Sequence, residues 1–170
     1  HTPGRTYRPS ACTKQWRLIP YFAAKPKGCT THVLKTGTMP VYVENLSLAS
    51  PQDRRDLELI YADAPEWLLA PYPQASTLID DALANQCLLV GRFNGRLLGA
   101  ARLERLADRW RLTHLCVREL TRGRGVAQRL LDETRRLARE ADVPLVLAAN
   151  PGQTAAQRLA AHHQLSLEAL

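Results

Sequence analysis

The residues best suited to hold an anion are gathered in one turn, Thr121-Arg122-Gly123-Arg124-Gly125-Val126-Ala127, followed by Gln128. Closely spaced glycines let a backbone turn tightly and approach a ligand, and the first N–H groups of a following helix have no partner inside it. Arg122 and Arg124 add positive charge beside them. The predicted chemistry is the cradling of a pyrophosphate by backbone donors. Neither common nucleotide loop fits, since there is no G-x-G-x-x-G and no glycine-lysine-serine/threonine ending. Groups able to move protons are fewer. His114, Glu104 and Glu119 are the candidate bases, each also readable as structural: His114 filling a strand face, Glu104 at a strand end, Glu119 in a turn. No metal site is predicted, because His162 and His163 are adjacent and project at different angles from a helix, and the four cysteines show no C-x-x-C spacing. Cys87 and Cys116 fall in apolar runs and are expected as buried, reduced thiols, which implies a cytoplasmic setting.

The turn needs a strand before it and a helix after it, and both are legible. Trp110 to Val117 reads as a strand; Val126, Ala127, Leu130, Leu131, Thr134, Leu137, Ala138 and Ala141 recur at helical spacing. Upstream, Val41 to Leu46 is strand-like, and Ser50-Pro51-Gln52-Asp53 carries the cap, proline and acid that open a helix through about Asp63. Ala64 to Pro73 is bulky and proline-bearing, and Thr77 to Asn85 predicts a short helix. Cys87–Arg92 and Arg96–Leu103 flank Asn94-Gly95, a strong hairpin signal. Pro144 to Ala149 is a buried-strand run, and a last helix spans about Thr154 to Gln164. This order predicts an α/β fold with a mixed sheet.

The pattern Arg122-x-x-Gly125-x-Ala127 after a strand resembles the acyl-CoA signature of the GNAT acetyltransferase superfamily, Gln/Arg-x-x-Gly-x-Gly/Ala. The resemblance runs from about Pro40 to the C-terminus. Within it three blocks are similar to the PanZ (PanM) subfamily: Gln52 to Leu57, Arg92 to Leu98, and Val117 through Val126 to Leu131. The superfamily resemblance implies a mixed, mostly antiparallel central sheet flanked by helices. It implies acetyl-CoA or CoA as cofactor, its pyrophosphate at Thr121 to Gln128 and its pantetheine arm along Leu115-Cys116-Val117, where the neighbouring strand splays away. The subfamily resemblance implies an acetyl-CoA-sensing regulator of aspartate decarboxylase (PanD) maturation in pantothenate synthesis, with Arg92, Phe93 and Asn94 on the partner surface. For those three, ordinary hairpin chemistry is the competing reading.

The chain departs from the superfamily pattern at its end. Ala160 stands where the usual tyrosine acid is expected, Gln164-Leu165 replaces a common Gly-Phe, and only five residues follow Leu165, too few for the usual terminal hairpin. The fold is therefore expected to be truncated at the C-terminus, with no catalytic acid. An N-acetyltransferase acting on a small-molecule or protein amine is the alternative function. The insertion at about 70–85 is longer than the subfamily pattern and borders the hairpin.

The 170 residues, 45% hydrophobic, suit one domain with one core, and no apolar run is long enough to cross a membrane. The formal net charge of +7 arises in residues 1–38, which hold seven basic residues and no acid, whereas residues 39–170 hold 23 − 7 = 16 basic residues against 16 acids. All four lysines also precede Met39, the sole methionine. Residues 1–38 are therefore expected to be a non-native or disordered basic extension before a domain at 39–170; a genuine basic arm or a targeting peptide are the alternatives. With the charge confined there, neither nucleic acid nor membrane is an expected partner of the domain.

Overall fold

The structure, a computed structural model, describes residues 40–170. The expected extension at 1–38 lies outside the described residues. The elements are β1 (Tyr42–Asn45), α1 (Pro51–Ala62), α2 (Glu66–Leu69), α3 (Ala75–Ala84), β2 (Leu88–Phe93), β3 (Arg96–Arg105), β4 (Trp110–Val117), α4 (Val126–Glu140), β5 (Leu145–Ala148), α5 (Thr154–His162) and β6 (Ser166–Glu168). The strands form one six-stranded sheet in sequence order. β1 to β4 pair antiparallel, and β5 and β6 add in parallel, which makes the sheet mixed and mostly antiparallel.

Local chemistry explains the element boundaries. Ser50 and Asp53 form a reciprocal capping box, each backbone N–H donating to the other's side chain at 3.1 Å, and Pro51 occupies the first helical position. Asn94 and Gly95 both take positive φ, 48° and 74°, the backbone that joins two twisted antiparallel strands through a two-residue turn. Alternation then sorts side chains to opposite faces. Leu88, Val90 and Ala100 join Leu57, Ile60, Tyr61, Leu78 and Ile79 of α1 and α3, whereas Leu89 and Ala101 join Leu112, Val126, Leu130 and Leu147 beneath α4. Where α4 crosses the sheet, Gly91 and Gly99 are cross-strand partners. A Cβ on Gly99 would lie 2.9 Å from Val126 Cγ1 and 3.2 Å from Leu130 Cδ1, so the first turn of α4 rests directly on backbone.

The sequence reading misses α2, a single helical turn within the proline-bearing stretch, and a short 3₁₀ turn at Glu119–Thr121. It also ends the fold at a helix. The structure instead adds β6 after α5, paired along Val146↔Ser166, Leu147↔Leu167 and Ala148↔Glu168. Three residues suffice because the outer edge of β5 offers unpaired backbone groups, and Arg109 and Arg111 hold Glu168 at 3.1 and 3.2 Å.

Candidate functional site

The cradle is built at the end of β4. Thr121 and Arg122 donate backbone N–H groups to Arg118 and Glu119 carbonyls, and the chain then turns through Gly123 and Gly125 at φ +75° and +83°. Gly125 caps α4 in left-handed backbone with no side chain to offer. The first helical bond runs from Arg129 N–H to the Gly125 carbonyl at 2.9 Å, so the N–H groups of Val126, Ala127 and Gln128 precede it without a helical partner. They border a hollow of about 300 Å³ also lined by Val117, Thr121, Arg122 and Gly123. Positive helix-end dipole and free donors converge there, the arrangement that binds phosphate.

A second hollow of about 420 Å³ shares Val117, Arg122 and Ala127 with the first and continues it along β4. Its cause is the parting of two strands. β5 pairs with β4 only at Trp110, Arg111 and Leu112, so Thr113 to Val117 have no β5 partner. A bulge on the other edge assists, since Ala100↔Cys116 and Arg102↔Thr113 leave Ala101 facing both His114 and Leu115. Leu115, Cys116 and Val117, the predicted pantetheine-binding segment, thus line the groove floor. Its walls are residues not predicted as ligand-binding: Trp67 and Leu68 from α2, and Ala155, Ala156 and Leu159 from α5. Trp67 supplies the bulk of the proline-bearing stretch at 64–73, the signal that could have found this wall.

The arginines of the turn differ in use. Arg122 donates from Nε to the Val117 carbonyl at 3.3 Å and from Nη2 to the Asp63 carbonyl at 2.7 Å, so it fastens the turn to the end of α1 while bordering both hollows. Asp63, also missed, accepts from Glu119 N–H at 2.9 Å and pairs with Arg118 at 3.3 Å. Arg124 is exposed beside the turn.

The candidate bases do not converge on the groove. His114 is buried at the bulge with φ +52°, its Nδ1 2.8 Å from Thr113 Oγ1 and its Nε2 2.9 Å from the Ala70 carbonyl. Burial holds its pKa below the ordinary value of 6.5. Glu104 is held by Arg102 and, at 3.2 Å, by Arg111. Glu119 is exposed in the 3₁₀ turn. Cys116 donates its thiol to the Ile60 carbonyl, 3.2 Å away, and burial pushes its pKa up to about 11. Ala160 is the buried residue of α5 itself. Among the described residues no group of three or more His, Cys, Asp or Glu could hold a metal ion, and no helix is long and apolar enough to cross a membrane.

The hairpin residues divide. Arg92 bonds Glu44 at 2.7 Å and Asp53 at 2.8 Å, and its guanidinium holds the Asp53 carboxyl below the usual carboxylate range. Phe93 packs inward, whereas Asn94 is exposed at the tip. Next to them Arg96 grips buried Asp56, whose Oδ2 also accepts from Leu97 N–H at 3.0 Å. Burial pushes the Asp56 carboxyl up, but Arg96, Leu97 N–H and Gln52 outweigh it and hold it below its ordinary value.

A mixed sheet whose fourth and fifth strands part beside a glycine-capped helix N-terminus is the architecture of the GNAT acetyltransferase fold. A PaiA N-acetyltransferase from Thermoplasma acidophilum, solved in complex with coenzyme A, shares that fold at TM-score 0.55 and 13% identity, over 73% of this chain and 88% of that one. Within the GNAT class the chain belongs to the PanZ family: residues 40–168 match the family model described as "Acetyltransferase (GNAT) domain, PanZ". The PanD regulatory factor of Escherichia coli (strain K12) is 40% identical over 98 residues, 58% of this chain and 68% of that protein. That of Salmonella typhimurium (strain LT2) is 37% identical over 95 residues, 56% of this chain and 66% of that protein. The matched segments thus span about two thirds of each relative's length.

Proposed function

We propose that this protein is a cytoplasmic, PanZ-type regulator that binds acetyl-CoA or CoA and, so loaded, binds aspartate decarboxylase to promote its maturation and feedback control in pantothenate synthesis. The ligand's pyrophosphate sits on the N–H groups of Val126, Ala127 and Gln128. Its pantetheine amides bond the β4 backbone left unpaired beyond Leu112, and the apolar walls from α2 and α5 take the arm. The partner meets the exposed tip of the β2–β3 hairpin around Asn94.

The observation that carries the regulatory reading is the chemistry of the groove walls. Arg122 and Cys116 are the ionisable side chains lining the two hollows. A guanidinium offers donors and no acceptor, and a thiol with its pKa at about 11 stays neutral near neutral pH, so neither is a base for an incoming amine or an acid for a departing thiolate. With Ala160 at the position expected for the acid, the groove holds a thioester and supplies little to transfer its acyl group.

Calorimetry with acetyl-CoA, and co-purification with aspartate decarboxylase in its presence, test the reading. Gly125→Ala places a side chain at φ +83°, a conformation costing L-residues roughly 1–2 kcal/mol, and the backbone shift that relieves it is expected to weaken acetyl-CoA binding about tenfold. Asn94→Ala is expected to weaken the decarboxylase complex and leave acetyl-CoA affinity alone. Steady thiol release with an amine panel, together with no association at micromolar decarboxylase, would install the acetyltransferase reading instead.

A further inference from the structure

Helix α1 is bonded at both ends to the two surfaces that a ligand-dependent regulator must connect. At its N-terminal end Asp53 holds Arg92, and Asp56 holds Arg96 and the Leu97 N–H, which fixes the base of the hairpin. At its C-terminal end Asp63 takes three donors from the strand-to-cradle segment: its Oδ2 accepts from Glu119 N–H and pairs with Arg118, and its carbonyl accepts from Arg122. One turn earlier, the Tyr61 hydroxyl donates to the His114 carbonyl at 3.0 Å and the Ile60 carbonyl receives the Cys116 thiol at 3.2 Å, both on the bulged part of β4. Twelve helical residues span about 18 Å.

From this geometry we infer that α1 couples the ligand cradle to the hairpin, with Asp63 as the positioning residue at the cradle end. The inference rests on the regulatory reading above. A ligand changes an association only through a difference in its interactions with two states, so the coupling needs a group that ligand and helix share. Arg122 is that group: it borders both hollows, and its guanidinium also donates to the carbonyl of Asp63, the residue that caps the C-terminal end of α1. Asp63 fixes the backbone of the same segment through Glu119 N–H, so filling the cradle orders the end of α1, and the acid–arginine pairs at the other end carry that order to the hairpin.

The test is a thermodynamic cycle on the full chain. Acetyl-CoA and aspartate decarboxylase are titrated by calorimetry, each alone and each with the other saturating. In the wild type the two ligands are expected to raise each other's affinity by one common factor, about fivefold or more. Asp63→Ala is expected to bring that factor close to unity while decarboxylase affinity without acetyl-CoA is unchanged. Asp63→Asn, whose amide oxygen still accepts from Glu119 N–H, is expected to keep an intermediate factor. A wild type that couples and an Asp63→Ala variant that couples equally would sink the role of α1 and leave the regulatory reading standing. Loss of acetyl-CoA binding itself in Asp63→Ala would likewise overturn it, by making Asp63 part of the cradle. No coupling in the wild type would remove the regulatory reading and this inference together.

Discussion

His114 shows how much one residue's environment decides its role. Met as a sequence, it is a candidate base beside a ligand. In the fold, its Nε2 faces a carbonyl, which requires a donor, and its Nδ1 faces a hydroxyl, so the neutral ring with its proton on Nε2 satisfies both partners. Burial and the charges of Arg102 and Arg111 disfavour the imidazolium. A folded-state pKa below 6.5 means that, in the window between the two values, the unfolded chain binds more protons. Stability is therefore full above about pH 6.5 and declines as pH falls through that window. His163, also held low by burial, acts in the same direction, whereas Asp53 and Asp56, lowered from 3.8, lose their contribution only in stronger acid. Thermal melts of the wild type are expected to fall between pH 7 and pH 5. His114→Asn, a residue that tolerates positive φ, is expected to be less stable at pH 7 by roughly 1–3 kcal/mol for the orphaned Ala70 carbonyl, with a shallower pH slope. An unchanged slope would mean that His114 takes up its proton equally in the folded and unfolded chains.

At the scale of elements, the cradle depends on how closely α4 approaches the sheet. A methyl on Gly99 meets Val126 Cγ1 at 2.9 Å and the Cys116 carbonyl at 3.3 Å, and Val126 is the first residue of α4. Gly99→Ala must therefore lift the helix end that presents the phosphate donors. Overpacking of this kind costs about 1–3 kcal/mol, and acetyl-CoA affinity is expected to fall with stability. Trimming the obstructing side chain in Gly99→Ala/Val126→Ala should restore affinity relative to the single variant; a double variant binding no better would show that the approach of α4 does not set the cradle. These elements were also the most legible part of the chain. Asn94-Gly95, the Ser50–Asp53 cap and the helical spacing from Val126 to Ala138 are local signals, each complete within a few residues. What escaped is non-local. The bulge at His114 exists because of register against β3, β6 exists because β5 has a free edge, the partners of Arg92 lie on β1 and α1, and Arg122 reaches the Asp63 carbonyl at the C-cap of α1. No spacing in the sequence announces that Arg122 will spend two donors on carbonyls, or that Trp67 will border a groove floored by β4.

For the molecule as a whole, charge is distributed unequally: residues 1–38 carry all of the formal +7, and residues 39–170 balance 16 basic residues against 16 acids. The family match begins at residue 40. Because the described core, cradle and groove are built from residues from Val41 onward, removing residues 1–38 is expected to leave the melting temperature and the acetyl-CoA affinity at about 0.15 M salt unchanged. The same segment should nevertheless act at a distance in dilute salt. Exposed charge is screened within about 8 Å at physiological ionic strength but reaches about 30 Å at 0.01 M, where a cationic segment concentrates any polyanion, including CoA and nucleic acid. The full chain is therefore expected to be retained on heparin and to bind acetyl-CoA faster at 0.01 M than at 0.15 M salt. The truncated protein should elute early and show little of that salt dependence. Heparin retention that survives the truncation would place a cationic surface on the domain itself and reopen a polyanion as its partner. A drop in melting temperature or in acetyl-CoA affinity at 0.15 M would make residues 1–38 part of the working fold.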